Sequence, residues 1–343
     1  MARVNAVGDS EHSRAAAPSI RDVARAAGVS HMTVSRVLNR HPNVSEATRE
    51  RVQQAITDLH FRPSRTARAL AHGSSRVIGV LEATGARFHG PASTIVAIED
   101  AARTEGFSVM IAVIDAADAA SEAAAVEHLL DQGAIGLILV GPGTTASGSI
   151  AEAASGVPLV VMHAAEGADR GAADQFEGGR RAARHLLELG HTAMAHIAGP
   201  AGWLEAESRA RGFAAELAAA GLAPVSVAVG DWTAESGYRA GLELLAAGGF
   251  TAVFCANDQM ALGLLHAARE AGVDVPAQLS VIGYDDISEA AHYAPALTTL
   301  RQDFPELGRR AIAELLSQLG GGPAPEPMPA PELIVRESTS ARP

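Results

Sequence analysis

Short apolar runs recur along the chain beyond residue 76, and segments with helical spacing follow most of them. The runs cover residues 77–81, 109–114, 135–140, 158–162, 193–199, 226–229, 251–256 and 279–286. Repeated alternation of a strand and a helix predicts a parallel sheet with helices on both faces. Residues 76–339 are too many for one doubly wound unit, so we expect two lobes. A ligand cleft is expected between them, at the carboxyl ends of the strands.

The first part of the chain has a different pattern, which predicts three short helices over residues 19–59. Ser19 opens a capping-box sequence, and apolar residues then follow at helical spacing until Gly28. Ser30 and Ser45 are placed to cap the second and third helices with their side chains. A helix, a glycine-containing turn and a second helix form the helix-turn-helix pattern.

Charge separates this helical head from the rest of the chain. The whole chain carries a formal net charge of −12, yet residues 19–73 hold nine arginines and four acidic residues, which leaves +5 there and −17 elsewhere. A basic head on an acidic body favours a polyanionic partner for the head alone. Five side chains of the second helix lie off its apolar stripe, at positions that reach base edges in a DNA major groove. They are His31, Met32, Thr33, Ser35 and Arg36. On an isolated helical hairpin the same face would simply be solvated.

The sequence predicts five consecutive segments. Residues 1–17 lack the apolar core of a signal peptide and are expected to form a disordered tail. Residues 18–63 form the helix-turn-helix domain, and residues 64–75 form an arginine-rich hinge that is too short to be a stable helix alone. Residues 76–339 form the effector-binding and dimerisation domain, and residues 340–343 form a short tail. Without a signal peptide or a membrane-spanning run, the protein is expected to be cytoplasmic, with no membrane partner.

The composition excludes several kinds of chemistry. All 27 basic residues are arginine, which rules out a Walker-A phosphate loop and a lysine Schiff base. The single cysteine, Cys255, rules out an internal disulfide and a cysteine-cluster zinc site, and it is expected to be a small core residue. Asp285 and Asp286 resemble a catalytic carboxylate pair, but adjacent residues usually point apart. No catalytic motif is present, so we expect no enzyme activity, no cofactor and no metal.

Residues 19–73 resemble the DNA-binding head of the LacI/GalR family, mainly through the stretch IRDVARAAGVSHMTVSRVLN. The stretches CANDQMALG, SVIGYDD and LTTLRQDF resemble the body of the same family, and the resemblance covers about residues 19–339. It implies a small all-α helix-turn-helix head and a two-lobed α/β body with parallel sheets, similar to periplasmic binding proteins. It also implies a homodimeric repressor, with operator DNA and a small sugar or glycoside as its partners.

The resemblance assigns DNA contacts to the head and the hinge. Arg36 would read a base edge or position its helix, and Leu70 would wedge into the minor groove beside Arg65. Simple helix packing is the alternative for Leu70. The other expected DNA contacts are Ser19, Ser30, His31, Met32, Thr33, Ser35, Asn39 and Asn43. At base-reading positions, His31 and Met32 differ from the residues of one family member, so we expect an operator sequence different from that of this member.

The resemblance also assigns eight residues to the effector cleft. Arg209, Asn257 and Asp285 would hydrogen-bond sugar hydroxyls, since guanidinium and carboxylate groups can bind paired hydroxyls bidentately. The expected aromatic walls and remaining contacts are Phe88, Trp232, Phe304, Gln302 and His163. His163 stands where one family member has an aspartate that faces the sugar, which leaves the identity of the sugar open. Taken alone, Trp232 could be a core residue, and Asp258 could cap a helix.

These observations predict a transcriptional repressor of carbohydrate-utilisation genes, released from a near-palindromic operator by a small sugar or glycoside. One alternative is a corepressor-type member of the family, whose ligand strengthens DNA binding. A sugar-binding transport protein is the other, and the basic head argues against it. The C-terminal part lacks the leucine heptads that make one family member a tetramer, so we expect a dimer.

Overall fold

The computed structural model describes residues 18–38, 41, 43–61, 75–83, 88–114, 118–141, 146–162, 175–323, 325–326 and 328–342. Contacts within the chain divide it into two compact units, residues 1–74 and residues 75–343. Several sequence predictions lie outside the described residues. They are the tail at 1–17, the hinge at 64–75 except its last residue, and the site residues Asn39, Arg65, Leu70 and His163.

Three helices form the described part of the first unit, as the sequence predicts. They are α1 (Ile20–Ala27), α2 (His31–Leu38) and α3 (Glu46–Asp58). Ser19 forms the expected capping box at the start of α1, and Gly28 ends that helix with a φ of +66°. Glycine adopts this left-handed conformation without strain. The helices meet around Val23, Val34 and Val52, which are fully buried.

The starts of α2 and α3 are stabilised in different ways. Ser30 Oγ accepts a hydrogen bond from the Thr33 backbone N–H at 3.1 Å, as predicted for α2. Ser45 occupies the N-cap position of α3 without a side-chain bond to the backbone. Its hydroxyl donates instead to the Thr48 hydroxyl at 2.9 Å. The predicted side-chain cap at Ser45 is therefore wrong, because the nearby hydroxyl of Thr48 takes its place as the partner.

The second unit contains two lobes, and the first has four parallel strands in the order β2-β1-β3-β4. The strands are β1 (Val77–Glu82), β2 (Ser108–Val113), β3 (Ala134–Val140) and β4 (Leu159–Val161). The helices between them are α4 (His89–Thr104), α5 (Ala119–Asp131) and α6 (Ala146–Ala153). Val80 and Ile138 pack on the α4 side of the sheet, and Leu81 and Leu137 pack on the α5 side. Because both faces are covered, the strands are almost continuously apolar.

The second lobe has six strands in the order β10-β9-β8-β7-β5-β6. The strands are β5 (Met194–Ala198), β6 (Ser226–Val229), β7 (Ala252–Cys255), β8 (Ser280–Asp285), β9 (Thr298–Arg301) and β10 (Glu332–Ile334). The helices are α7 (Gln175–Glu188), α8 (Leu204–Ala219), α9 (Ala234–Ala247) and α10 (Asp258–Glu270), with a short 3₁₀ helix at Ser288–His292. Five strands are parallel, and β10 runs antiparallel to β9 at the edge.

The chain leaves lobe 2 after β9, enters lobe 1 as α11 (Phe304–Gln318), and returns to lobe 2 as β10. Leu307 and Ile312 of α11 complete the lobe 1 core beside α4. Gln302 therefore lies where the chain passes from one lobe to the other. This connection positions residues of both lobes around one cleft.

Some element boundaries differ from the sequence predictions. Helix α4 begins at His89 rather than near Ser93. Pro91 is tolerated there, because the first turn of a helix needs no backbone N–H donor. The apolar runs do not predict β9 or β10, and β10 breaks the predicted all-parallel pattern. An edge strand pairs on one side only, so three residues with little apolar pattern suffice.

Three further observations bear on function. Cys255 is fully buried in β7, as expected of a small core residue. Among the described residues, no helix is long and apolar enough to cross a membrane. Within the same ranges, no three histidine, cysteine, aspartate or glutamate side chains gather into a group that could hold a metal ion.

Candidate functional site

The outer face of α2 presents the side chains that the sequence predicts to read DNA. His31, Met32 and Arg36 are exposed, and Met32 is exposed to 57%. Thr33 and Ser35 are partly buried. Val34 and Val37, on the opposite face of the same helix, are buried in the core of the unit and hold the helix in place. This face offers an arginine, an imidazole and an apolar methyl group to a partner. Those groups match guanine, a polar base edge and a thymine methyl group respectively.

Three other predicted DNA contacts of this unit differ in accessibility. Ser19 Oγ accepts from the Asp22 backbone N–H at 3.4 Å, and Asp22 Oδ2 accepts from the Ser19 backbone N–H at 2.9 Å, which together form the capping box. Ser30 Oγ lies 2.9 Å from Thr33 Oγ1. Asn43 is exposed in the segment between α2 and α3. Ser19 and Ser30 therefore stabilise the helix starts, and the Asn43 side chain is available to a partner.

A narrow cleft with a cavity volume of about 30 Å³ lies between the two lobes of the second unit, at the carboxyl ends of the strands. Seven of the eight predicted effector residues line it: Phe88, Arg209, Trp232, Asn257, Asp285, Gln302 and Phe304. The eighth, His163, lies outside the described residues.

Four buried side chains form a closed ring of polar contacts at this cleft. Arg209 Nε donates to Gln175 Oε1 at 2.7 Å, and Gln175 Nε2 donates to Gln302 Oε1 at 2.9 Å. Gln302 Nε2 then donates to Asp285 Oδ1 at 2.7 Å. The same Asp285 oxygen lies 3.6 Å from Arg209 Nη1, which closes the ring. The network holds the guanidinium and the carboxylate in fixed orientations before any ligand arrives.

Burial governs the electrostatics of the ring. It raises the pKa of the Asp285 carboxyl, and the Arg209 guanidinium and the Gln302 amide partly offset that rise. The guanidinium carbon of Arg209 lies 3.7 Å from the centroid of the Tyr284 ring and 5.7 Å from that of Trp232. Cation–π attraction therefore helps to stabilise the buried positive charge.

The adjacent carboxylates of Asp285 and Asp286 have different partners. Asp286 pairs with Arg301 at 2.7 Å and with Arg336 at 2.6 Å, away from the ring. The two side chains therefore point apart, as the sequence predicts. They do not form the paired carboxylates that acid–base catalysis on a sugar would need.

Asn257 combines a structural role with its place at the cleft. It is the N-cap of α10, and its Oδ1 accepts a hydrogen bond from the Met260 backbone N–H at 2.9 Å. Its Nδ2 donates to the Trp232 backbone carbonyl at 3.0 Å and to Gln259 Oε1 at 2.9 Å. Trp232 has a φ of +73°, so this bond supports a strained backbone. The cap is Asn257 and not Asp258, which is fully buried.

Aromatic rings form the apolar walls of the cleft. Phe88 of lobe 1 packs edge-on against Trp203 of lobe 2, with ring centroids 5.6 Å apart. Trp203 in turn packs against Trp232 at 5.5 Å. Phe304 packs against His89 at 5.7 Å. Trp232 therefore belongs both to the lobe 2 core and to the cleft wall.

Sequence reasoning missed four residues of this site: Gln175, Trp203, Glu205 and His89. Trp203 and Glu205 follow β5, so the rule that sites lie at carboxyl ends of strands could have found them. Gln175 is the first residue of α7, and no local pattern marks it. Only its contacts with Arg209 and Gln302 show its role.

Comparisons with known proteins match both units. The model of bacterial regulatory proteins of the lacI family matches residues 19–64, and the periplasmic binding protein-like domain matches residues 183–339. The chain is 35% identical over 329 residues to the lactose operon repressor of Escherichia coli (strain K12). That match covers 95% of this chain and 91% of the relative. The chain belongs to the LacI family.

Solved structures of LacI-family proteins have the same architecture. A lac repressor dimer bound to operator and the anti-inducer ONPF has a TM-score of 0.85 and 34% identity, and the match covers 94% of this chain and 99% of that one. The transcriptional regulator CelR in complex with cellobiose has a TM-score of 0.69 and 30% identity, with the same coverage. The predicted family and fold are therefore confirmed. The protein is a LacI-family transcriptional repressor, and these relatives are regulators rather than enzymes.

Proposed function

We propose that this LacI-family repressor binds a near-palindromic operator of carbohydrate-utilisation genes and releases it when a small sugar or glycoside enters the cleft. The observation that carries the proposal is the ring of Arg209, Gln175, Gln302 and Asp285 beside aromatic walls. A sugar presents paired hydroxyls to charged forks, and its C–H faces suit flat apolar rings. The CelR structure with cellobiose shows that a relative of this fold binds a sugar.

The exposed face of α2 supports the DNA-binding half of the proposal. The head carries its excess of arginine on a chain that is otherwise acidic, so affinity is expected to fall steeply with salt. Two heads on a homodimer would meet two half-sites related by the symmetry of the dimer. The lac repressor in the operator complex is a dimer, which supports the same assembly here.

The position of the cleft supports a coupling between ligand and DNA. Phe88 reaches from lobe 1 to Trp203 in lobe 2, and Gln302 joins the ring where the chain passes between lobes. A ligand that contacts both walls will favour one arrangement of the lobes over another. Because such coupling is reciprocal, operator DNA must weaken sugar binding by the same factor as sugar weakens operator binding.

A gel shift tests the proposal. The full-length protein is titrated onto DNA from upstream of its own gene and the neighbouring genes, with and without a panel of sugars and glycosides. We expect a salt-sensitive shift that one sugar relieves. Arg36→Ala should weaken the shift and change the sequence preference, whereas Arg25→Ala, which also removes an exposed charge but from α1, should leave the sequence preference unchanged. If a sugar strengthens the shift, the protein is a corepressor-type regulator and a sugar does not release it from DNA. No shift on any DNA would contradict the proposal.

A further inference from the structure

Two polar atoms at the cleft are buried and have no hydrogen-bond partner. They are Oε2 of Glu205 and the indole Nε1 of Trp232. Both residues line the cleft, and they are exposed to only 7% and 6%. Buried polar groups in folded proteins are nearly always paired, so two unpaired atoms at one cleft point to a ligand that supplies the partners.

Several neighbouring polar atoms already have partners within the protein. Arg209 Nε and Asp285 Oδ1 are held in the ring, and the side-chain oxygen and nitrogen of Asn257 bond to the protein itself. Beside the ring, Glu205 adds a buried acceptor and Trp232 a buried donor for which the described residues supply no partner. These two atoms add a requirement that a ligand of this cleft must match.

A hydroxyl group fits both requirements, because it can donate to a carboxylate and accept from an indole N–H. An ammonium group can only donate, so it would leave the Trp232 N–H unpaired. A phosphate or carboxylate ligand accepts but would meet the negative charge of Glu205. Apart from His89, the charged side chains that line the described cleft are two carboxylates, Glu205 and Asp285, and one guanidinium, Arg209. The balance is unfavourable for an anion.

We propose that Glu205 is a specificity-determining residue that admits uncharged polyhydroxyl ligands and rejects sugar phosphates and sugar acids. The proposal rests on the proposed function, since it names the class of effector for the same cleft. Glu205 holds this position because it lies in the first turn of α8, two residues after the aromatic wall residue Trp203.

Intrinsic fluorescence provides a direct assay, because the chain has two tryptophans, Trp203 and Trp232, and both line the cleft. The full-length protein is titrated with glucose, galactose and cellobiose, and with glucose 6-phosphate, galactose 6-phosphate and glucuronate. We expect at least one neutral sugar to bind about 100-fold more tightly than its anionic counterpart. Glu205→Gln keeps the size and one acceptor but removes the charge, so this ratio should fall by about tenfold or more. Glu207→Gln, on the exposed side of the same helix, should leave the ratio unchanged.

Every outcome is decisive. An unchanged ratio in Glu205→Gln, or tighter binding of a sugar phosphate by the wild type, would overturn the role of Glu205 and leave the proposed function intact. If no sugar of either kind binds the wild type, while the operator shift persists, the sugar-release function fails and the role of Glu205 fails with it. If Glu205→Gln does not fold, Glu205→Asp replaces it. That variant keeps the charge, so it should still reject the anionic sugars but bind the neutral sugar more weakly.

Discussion

His196 on β5 is a buried histidine whose protonation is expected to destabilise lobe 2 in acid. Its ring packs against those of Phe213 and Phe254, with centroids 5.5 and 4.8 Å away. Nδ1 lies 2.9 Å from the Phe254 carbonyl oxygen. Because a carbonyl can only accept, Nδ1 carries the proton, while Nε2 is buried without a partner. Burial therefore lowers the pKa of His196 from 6.5 to about 4.

The magnitude follows from the difference between these pKa values. The fold requires the neutral ring, so the free energy of unfolding is highest above pH 6.5 and falls as the pH drops towards 4. Since one pKa unit corresponds to about 1.4 kcal/mol, protonation of His196 can lower the free energy of unfolding by about 3 kcal/mol in total. About 2 kcal/mol of this is lost between about pH 7.5 and about pH 5.

The assay compares the wild type with His196→Asn, which keeps a donor for the Phe254 carbonyl but does not titrate. Denaturant unfolding is followed by the fluorescence of Trp203 and Trp232, which both lie in lobe 2. Between about pH 7.5 and about pH 5, the wild type should lose about 2 kcal/mol more than the variant. Any constant cost of the substitution cancels, because each protein is compared with itself. Equal losses in the two proteins would show that protonation of His196 does not destabilise the fold over this pH range.

Single contacts elsewhere lead to further expectations. In Gly199→Ala the new Cβ would clash with the Trp232 ring, so thermal denaturation should show a loss of about 1–3 kcal/mol. Gly148→Ala, where nothing lies within 4 Å, is the control and should cause no loss, because alanine is the better helix former at this position in α6. In Arg209→Lys, a single ammonium group replaces the guanidinium and cannot contact both Gln175 and Asp285, so the sugar affinity measured by fluorescence should fall about tenfold. An unchanged affinity would contradict a role of the ring in binding. His31→Ala and Met32→Ala should change which operator variants shift, by about 1–3 kcal/mol per base, whereas a uniform loss on all DNA would count against base reading. Light scattering should give a dimer, and a stable tetramer would contradict the predicted assembly.

The local pattern of the sequence was enough to predict most helices and strands. The capping box at Ser19 and the left-handed Gly28 depend on neighbours within one helical turn, so the chain itself specifies them. The apolar runs of the body likewise predicted eight of the strands of the described sheets. β9 and β10 were not predicted, because neither strand forms one of these apolar runs in the sequence.

The candidate site was likewise predicted only in part. The family resemblance of the sequence placed Arg209, Asp285 and Gln302 at one cleft. It gave no sign of Gln175, whose partner Gln302 lies 127 positions away along the chain. Nor did it single out Glu205, which resembles any acidic residue in the first turn of a helix.

The helical head, the alternation of strands and helices and the uneven charge can be read directly from the sequence. These features depend on residue types and on spacing within a few positions. Which polar groups are already paired, and which are left for a ligand, becomes visible only in the folded protein. Pairing depends on distances and burial between strand ends that are remote along the chain, and these are fixed only when both lobes pack around the same cleft.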